Sequence, residues 1–404
     1  MKKPHYSWAI CLGCTLMLLV CTGLCVNTFS VTQPYVLEYN GFTNTQTSMI
    51  GTIRAVSFLI CMLLTPVFYR KSGYRTGMTA ACLLVVLAFV MFAFARSIAV
   101  YYAAAVIAGS GYGFGSMVPA TILISRWFRQ RKGLALGICA AGTGLATVAF
   151  SPLLSAIVER STLKLCFLFE ALVCLILAIL VFLLVRDDPA SCGKTPYGEE
   201  AAKTAAGTDT VCICPSKLLW VLLYISMCMI GALAASGFTH MMILFTTAGF
   251  APSRAALAVS VFGLALMTGK CVFGYVCDRL GSYRSNYVFG SIMLLGLVLC
   301  IFANLQSEAL MFAAAALFGF GAPISTVGLS VWAGDFSTAE TFSHRVQLFQ
   351  LCYGIGALAF GTVPGVIADR FGSYVPTYIL FFIMGIGSML VVQITYLTGH
   401  RKKR

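Results

Sequence analysis

Charge is what this 404-residue sequence lacks: Asp, Glu, Lys and Arg together make up 10% of it, and only 13 side chains are acidic. An ordinary soluble domain is about 25% charged, so this composition does not supply a water-facing surface. Histidine is rarer still, at 4 residues. Cys212 and Cys214 form a single pair with neither a second pair nor a nearby His, too little for a metal site. The glycines at 109, 111, 113 and 115 lie in an apolar run with no strand before them, which fails the nucleotide-binding pattern. No nucleophile–base pair or phosphate loop is present. These absences argue against an enzyme, and no catalytic residue, metal or cofactor is expected.

What is present is apolar length. Hydrophobic residues make up 59% of the chain, and each bilayer crossing takes about 20 of them. The pattern predicts helices at roughly 8–33, 46–69, 76–95, 99–125, 134–158, 165–185, 217–247, 253–277, 286–303, 308–331, 346–367 and 374–397, numbered here as spans one to twelve. The long polar stretch from Arg186 to Ser216 reads as a flexible linker, with Pro189, Pro196 and an Ala/Thr/Gly run. The expected organisation is an all-α membrane protein of twelve transmembrane helices. One six-helix half covers residues 1–190, a cytoplasmic linker 191–214, and a second six-helix half 215–404. The 17 cysteines fall mostly inside spans, where Cys acts as a small hydrophobe, and no structural disulfide is expected.

Lys and Arg set the orientation. With the N-terminus inside, 20 of the 27 fall in inner loops and tails and 5 in outer ones, leaving Arg54 and Lys270 within the membrane. The expectation is a multi-pass protein of the cell (inner) membrane with both termini cytoplasmic. The net charge of +14 is then a topology signal, and a nucleic-acid partner is not needed to explain it. The start at residues 1–7 has no cleavage site and runs into a full-length span, so no removable signal peptide is expected.

Three motifs carry a family resemblance. Gly274, Asp278, Arg279, Gly281 and Arg284 follow span eight in a Gly-x-x-x-Asp-Arg-x-Gly pattern, and Gly365, Asp369, Arg370 and Gly372 repeat it after span eleven. The copy after span two is degraded, with Pro66, Arg70 and Lys71 in place of Gly, Asp and Arg, while Gly73 and Arg75 survive. Around spans four and five, Trp127, Phe128, Arg131, Lys132, Ala135, Gly137, Gly142 and Gly144 form the third. Two six-span halves with these loops resemble the major facilitator superfamily, with its pseudo-two-fold fold. The third run resembles the monocarboxylate transporters and oxalate–formate antiporters. The resemblance implies a conformational latch at Gly274, Asp278, Arg279, Gly281, Arg284, Asp369 and Arg370, and close helix packing at Gly137, Gly142 and Gly144. With Arg70 at the Asp position, a first-half latch must work differently or be weaker.

A charge near mid-bilayer costs about 3 kcal/mol on insertion scales, so intramembrane ionisable groups are functional candidates. Lys270 lies eight residues before Asp278, about 12 Å from that end of its span. In the resembling families its position holds an Arg that pairs with the substrate carboxylate. The Asp that the monocarboxylate transporters carry one turn earlier is Leu266 here. Snorkelling to the headgroups is the plain alternative for Lys270. Arg54, about 12 Å into span two from the other side, reads either as an outer-cavity cation or as a structural cap on helix carbonyls. Asn27, His240, Gln350 and Tyr353 can contact a ligand or tie helices together, and His240 can serve proton coupling. Glu170 is the one carboxylate well inside a span, at a depth that suits the outer headgroups. Pro119 and Pro323 can break their helices beside a cavity.

The resemblance implies a small organic anion as substrate, and two intramembrane cations with almost no intramembrane acid are compatible with it. The expectation is a secondary active transporter of a mono- or dicarboxylate working by alternating access, as antiport or proton-coupled symport, as a monomer in the bilayer. The alternatives are an exporter or facilitator of a neutral or hydrophobic molecule and, from another class, a sensor that kept the fold. The latter would need an elaborated soluble domain.

Overall fold

A computed structural model describes residues 5–42, 44–199, 211–338 and 340–403. It is helical almost throughout and divides into two compact units, Met1–Glu200 and Ala201–Arg404.

Among the described residues, eleven helical stretches are long and apolar enough to cross a bilayer. One of them, Met49–Phe94, runs for 46 residues, about twice the length one crossing requires. It contains Gly73 at φ 74° and ψ 172°, which no helix accommodates. The chain turns there, so this stretch holds spans two and three, and the six-plus-six count follows. Span six, Leu163–Leu184, shows how the sequence builds a membrane helix. Leu172, Ile176, Ile179 and Leu183 form an exposed stripe, while Cys166, Glu170, Cys174, Ala178 and Val181 line the buried face. Large apolar side chains exposed at helical spacing are a lipid-facing surface. The chain is a multi-pass membrane protein.

Glycine lets these helices approach backbone to backbone. In span four a Cβ on Gly109 would land on the Arg54 carbonyl of span two, and one on Gly115 would strike Cys21 of span one. In the second unit, a Cβ on Gly231 of span seven would land on the Tyr353 carbonyl, and one on Gly356 of span eleven on the Cys228 carbonyl.

Five spans are interrupted among the described residues: span eleven, which stops at Ala359 and restarts at Val363, and four others at matching places in the two units. Span one changes from α to π hydrogen bonding over Leu19–Asn27, and span seven stops at Thr239 and restarts at Met241. Span four stops at Phe114 and restarts at Met117, with Gly115 and Ser116 between. Span ten stops at Gly321, passes through a 3-10 turn over Ala322–Ser325 that contains Pro323, and restarts at Val327. Discontinuous helices at corresponding places in two repeats are where transporters of this build place their sites.

The stretch after span six differs from a free linker. Asp187 accepts hydrogen bonds from the Tyr74 and Arg75 amides, each at 2.7 Å, and Arg126 pairs with Asp188 at 3.0 Å. Tyr197 bonds backbone to backbone with Trp127 and Arg129, and its ring packs on His5, Trp8 and Phe128. Residues 186–199 are therefore fastened to the first unit. On the other side of the undescribed 200–210, β1 (Val211–Cys214) pairs antiparallel with β2 (His400–Lys403) in the second unit.

Candidate functional site

Lys270 is the most buried cation among the described residues of the second unit. Span eight, Pro252–Leu280, holds it with 5% of its surface exposed. Its ammonium therefore does not extend to the protein surface, as a snorkelling lysine would. The residue before it, Gly269, presses on the Phe320 backbone and Pro323, where span ten loses its α-helical form. That close approach sets Lys270 beside an irregular stretch of backbone. On span eleven, Gln350 has its Nε2 buried with no hydrogen-bond partner. An unpaired buried amide donor costs about 1–3 kcal/mol and is suited to an acceptor brought by a ligand. Tyr353, one turn on, is half-buried, and its backbone abuts Gly231 of span seven.

His240 caps the break in span seven. Its Nδ1 lies 2.9 Å from the Ser236 carbonyl and 3.1 Å from the Thr239 hydroxyl, and its ring stacks on Tyr374 at 6.0 Å. These contacts describe a helix terminus, where His completes backbone hydrogen bonds.

In the first unit, Arg54 donates from Nη1 to the Cys25 carbonyl at 2.8 Å, and its guanidinium lies over the Phe29 ring at 4.9 Å. Cys25 belongs to the π segment of span one, so Arg54 supports the backbone where α hydrogen bonding fails. Asn27, at the end of that segment, donates to the Thr143 carbonyl at 3.3 Å and to Thr147 Oγ1 at 3.1 Å, joining span one to span five. Gly142 packs on Thr15 of span one, and Gly137 and Gly144 lie on the same span-five helix, Lys132–Arg160.

The motif residues sit at helix ends. Asp278 and Arg279 occupy the exposed last turn of span eight, with Gly274 buried one turn earlier. Gly281, at φ 78°, reverses the chain into the next helix, where Arg284 is exposed. Asp369 and Arg370 are exposed at the end of Val363–Phe371, which Gly372 closes at φ 68°. In the first unit the missing motif acid is supplied from elsewhere. Asp187 comes from the end of span six and binds the first amides of span three, where the helix dipole favours a carboxylate. A Cβ at Gly73 would lie 2.7 Å from Asp187 Oδ2, so this turn needs glycine for its space as well as its φ.

Sequence position alone suits Glu170 to the outer headgroups, and the structure shows that it faces the protein interior. It is 1% exposed, and its Oε1 lies 2.9 Å from the Thr28 hydroxyl at the end of the π segment. Its residue type marks it in the sequence, but the face it occupies is set by packing.

The family model described as Major Facilitator Superfamily matches residues 15–337 and 241–404. The chain belongs to the major facilitator superfamily. Among its relatives, Monocarboxylate transporter 12 of Rattus norvegicus is 22% identical over 402 residues, covering 93% of this chain and 82% of its own length. Riboflavin transporter MCH5 of Saccharomyces cerevisiae is 23% identical over 385 residues, covering 89% and 72%. The crystal structure of the human organic anion transporter MFSD10 superposes with a TM-score of 0.73 at 14% identity, covering 97% of this chain and all of that one. That likeness speaks to the fold alone. As a major facilitator with monocarboxylate transporter-like relatives, the chain is a secondary transporter of small solutes.

Proposed function

We propose that this major facilitator carries a small organic anion, a mono- or dicarboxylate, across the cell membrane by alternating access, as antiport or proton-coupled symport. The observation that carries this reading is Lys270, a cation withdrawn from the surface beside the interruption in span ten. A buried ammonium attracts an anionic substrate more strongly than one in water would. Gln350 on span eleven offers a donor amide to a carboxylate oxygen. The relatives named monocarboxylate transporters support the same substrate class. In this reading the exposed Asp278–Arg279 and Asp369–Arg370 turns form and release contacts as the halves rock, and both termini face the cytoplasm.

A second reading, transport of a neutral molecule, has two observations in its favour. Arg54 is engaged with the Cys25 carbonyl, which leaves it less suited to a substrate, and one relative is named a riboflavin transporter. The two readings separate in proteoliposomes loaded with unlabelled compound and offered labelled lactate, pyruvate, oxalate, succinate or riboflavin. Counterflow of at least one acid and none of riboflavin supports the anion reading. Riboflavin counterflow without that of any acid overturns it.

A further inference from the structure

Glu170 poses a hydrogen-bonding problem: its carboxyl and the Leu24 carbonyl share one Thr28 hydroxyl. Its carboxyl group lies inside the first unit, with Oε1 against the Thr28 hydroxyl and Oε2 buried without a partner. Among the described residues, no ion pair involves it. An ionised carboxylate there would lack both a cation and a second donor, an arrangement that is strongly unfavourable.

The Thr28 hydroxyl sharpens the point. Its oxygen lies 2.6 Å from the Leu24 carbonyl and 2.9 Å from Glu170 Oε1, but a hydroxyl has a single hydrogen. If Thr28 donates to Leu24, the contact with Glu170 is a hydrogen bond only when the acid donates. The consistent chain is Glu170 O–H to Thr28 Oγ1, and Thr28 O–H to the Leu24 carbonyl. If Glu170 loses its proton, Thr28 must rotate its hydrogen to the carboxylate and release the Leu24 carbonyl. Leu24 lies within the π segment, one residue before the Cys25 carbonyl that Arg54 holds. The charge on Glu170 thus acts on the irregular backbone of span one.

Among the described residues, no ion-pair partner faces this acid. Cys166 and Cys174 share the buried face of its own helix with Glu170, and Cys25 of span one is buried as well. Arg54 of span two is engaged with the Cys25 carbonyl. Span five's outer charges, Glu159 and Arg160, are exposed, and Tyr35 after span one meets Glu159. Towards the start of span six, Phe167 packs with Phe89 and Phe92, and Phe92 with Phe29, in an aromatic cluster beside the acid.

We propose that Glu170 is a proton-binding site of the transport cycle, and that loading and release of its proton switch the Thr28 hydroxyl between the Leu24 carbonyl and the carboxylate. The proton comes from water and returns to it in a conformation that opens this region. The proposal rests on the transport reading and deepens its proton-coupled form, whichever acid is carried.

Two measurements test it. Infrared spectra of the purified wild type at neutral pH should show a protonated-carboxyl C=O band that shifts in D2O and is absent from Glu170→Gln. This readout needs no substrate, so it stands even if no carboxylate is transported. In proteoliposomes with the acid that exchanges, a pH gradient should drive net uptake with a matching signal from a trapped pH dye in the wild type. Glu170→Gln and Thr28→Val should lower that gradient-driven uptake at least tenfold, while exchange at equal pH continues without its pH dependence. No carboxyl band assignable to Glu170, or gradient-driven uptake by Glu170→Gln equal to the wild type, would overturn the proposal. Loss of exchange and uptake together in a variant that elutes like the wild type would also overturn it, as the mark of a merely structural residue.

Discussion

At the residue scale, the same chemistry serves two purposes in one membrane. Arg54 and Lys270 have the same sequence signature, a cation well inside an apolar span, yet Arg54 completes a helix carbonyl and Lys270 is buried beside broken backbone. Asp187 anchors the start of span three, because two amides at a helix start converge on one carboxylate oxygen. Hydrogen bonds to charged groups contribute about 1.5–3 kcal/mol each. Asp187→Ala should therefore lower stability by about 2–4 kcal/mol, read as a clear drop in the melting temperature of detergent-purified protein. An unchanged melting temperature would show that the contact contributes nothing. Gly73→Ala should also destabilise, by about 1–3 kcal/mol, since the backbone there is nearly glycine-only. The sequence could not show Asp187 in this role, because it and the turn it closes are 113 positions apart. Lys270 was legible because charge in an apolar run is rare. The burial of Glu170 was not, because depth along a helix does not say which face meets the core.

At the element scale, helix existence was easy to read and helix interruption was not. Long apolar runs exclude water-facing surface, and the twelve-span pattern follows. The π segment in span one and the stop at Thr239 in span seven carry no proline and no charge to mark them. Span ten is different, since Pro323 announces its break. The glycine alternation in span four was legible as tight packing, and each glycine now has a partner: Gly109 and Gly113 meet span two, Gly111 span three and Gly115 span one. In the second unit the contact of spans seven and eleven depends on Gly231 and Gly356. Gly356→Leu would drive a side chain into the Cys228 backbone. Because neither backbone can withdraw without separating the helices, the variant should fail to give a monodisperse peak in size-exclusion chromatography. Gly365→Leu, where a Cβ meets open space, should elute normally.

At the scale of the whole molecule, the imbalance of Lys and Arg makes a topological prediction. A reporter fused after residue 404, or a cysteine-reactive label aimed at the loop near Arg126, should report the cytoplasmic side, and a label near Arg96 the opposite side. Labelling of both loops from the same side would refute the orientation. The account's central claim is that one buried cation receives an anionic substrate, and the direct measurement is carboxylate counterflow in liposomes with Lys270→Ala and Lys270→Arg beside the wild type. Removing one partner of a buried charge pair costs about 2–5 kcal/mol. Apparent affinity should then fall by about 30-fold or more in Lys270→Ala, with part of it restored by Lys270→Arg. Carboxylate exchange by Lys270→Ala at wild-type affinity would contradict the claim.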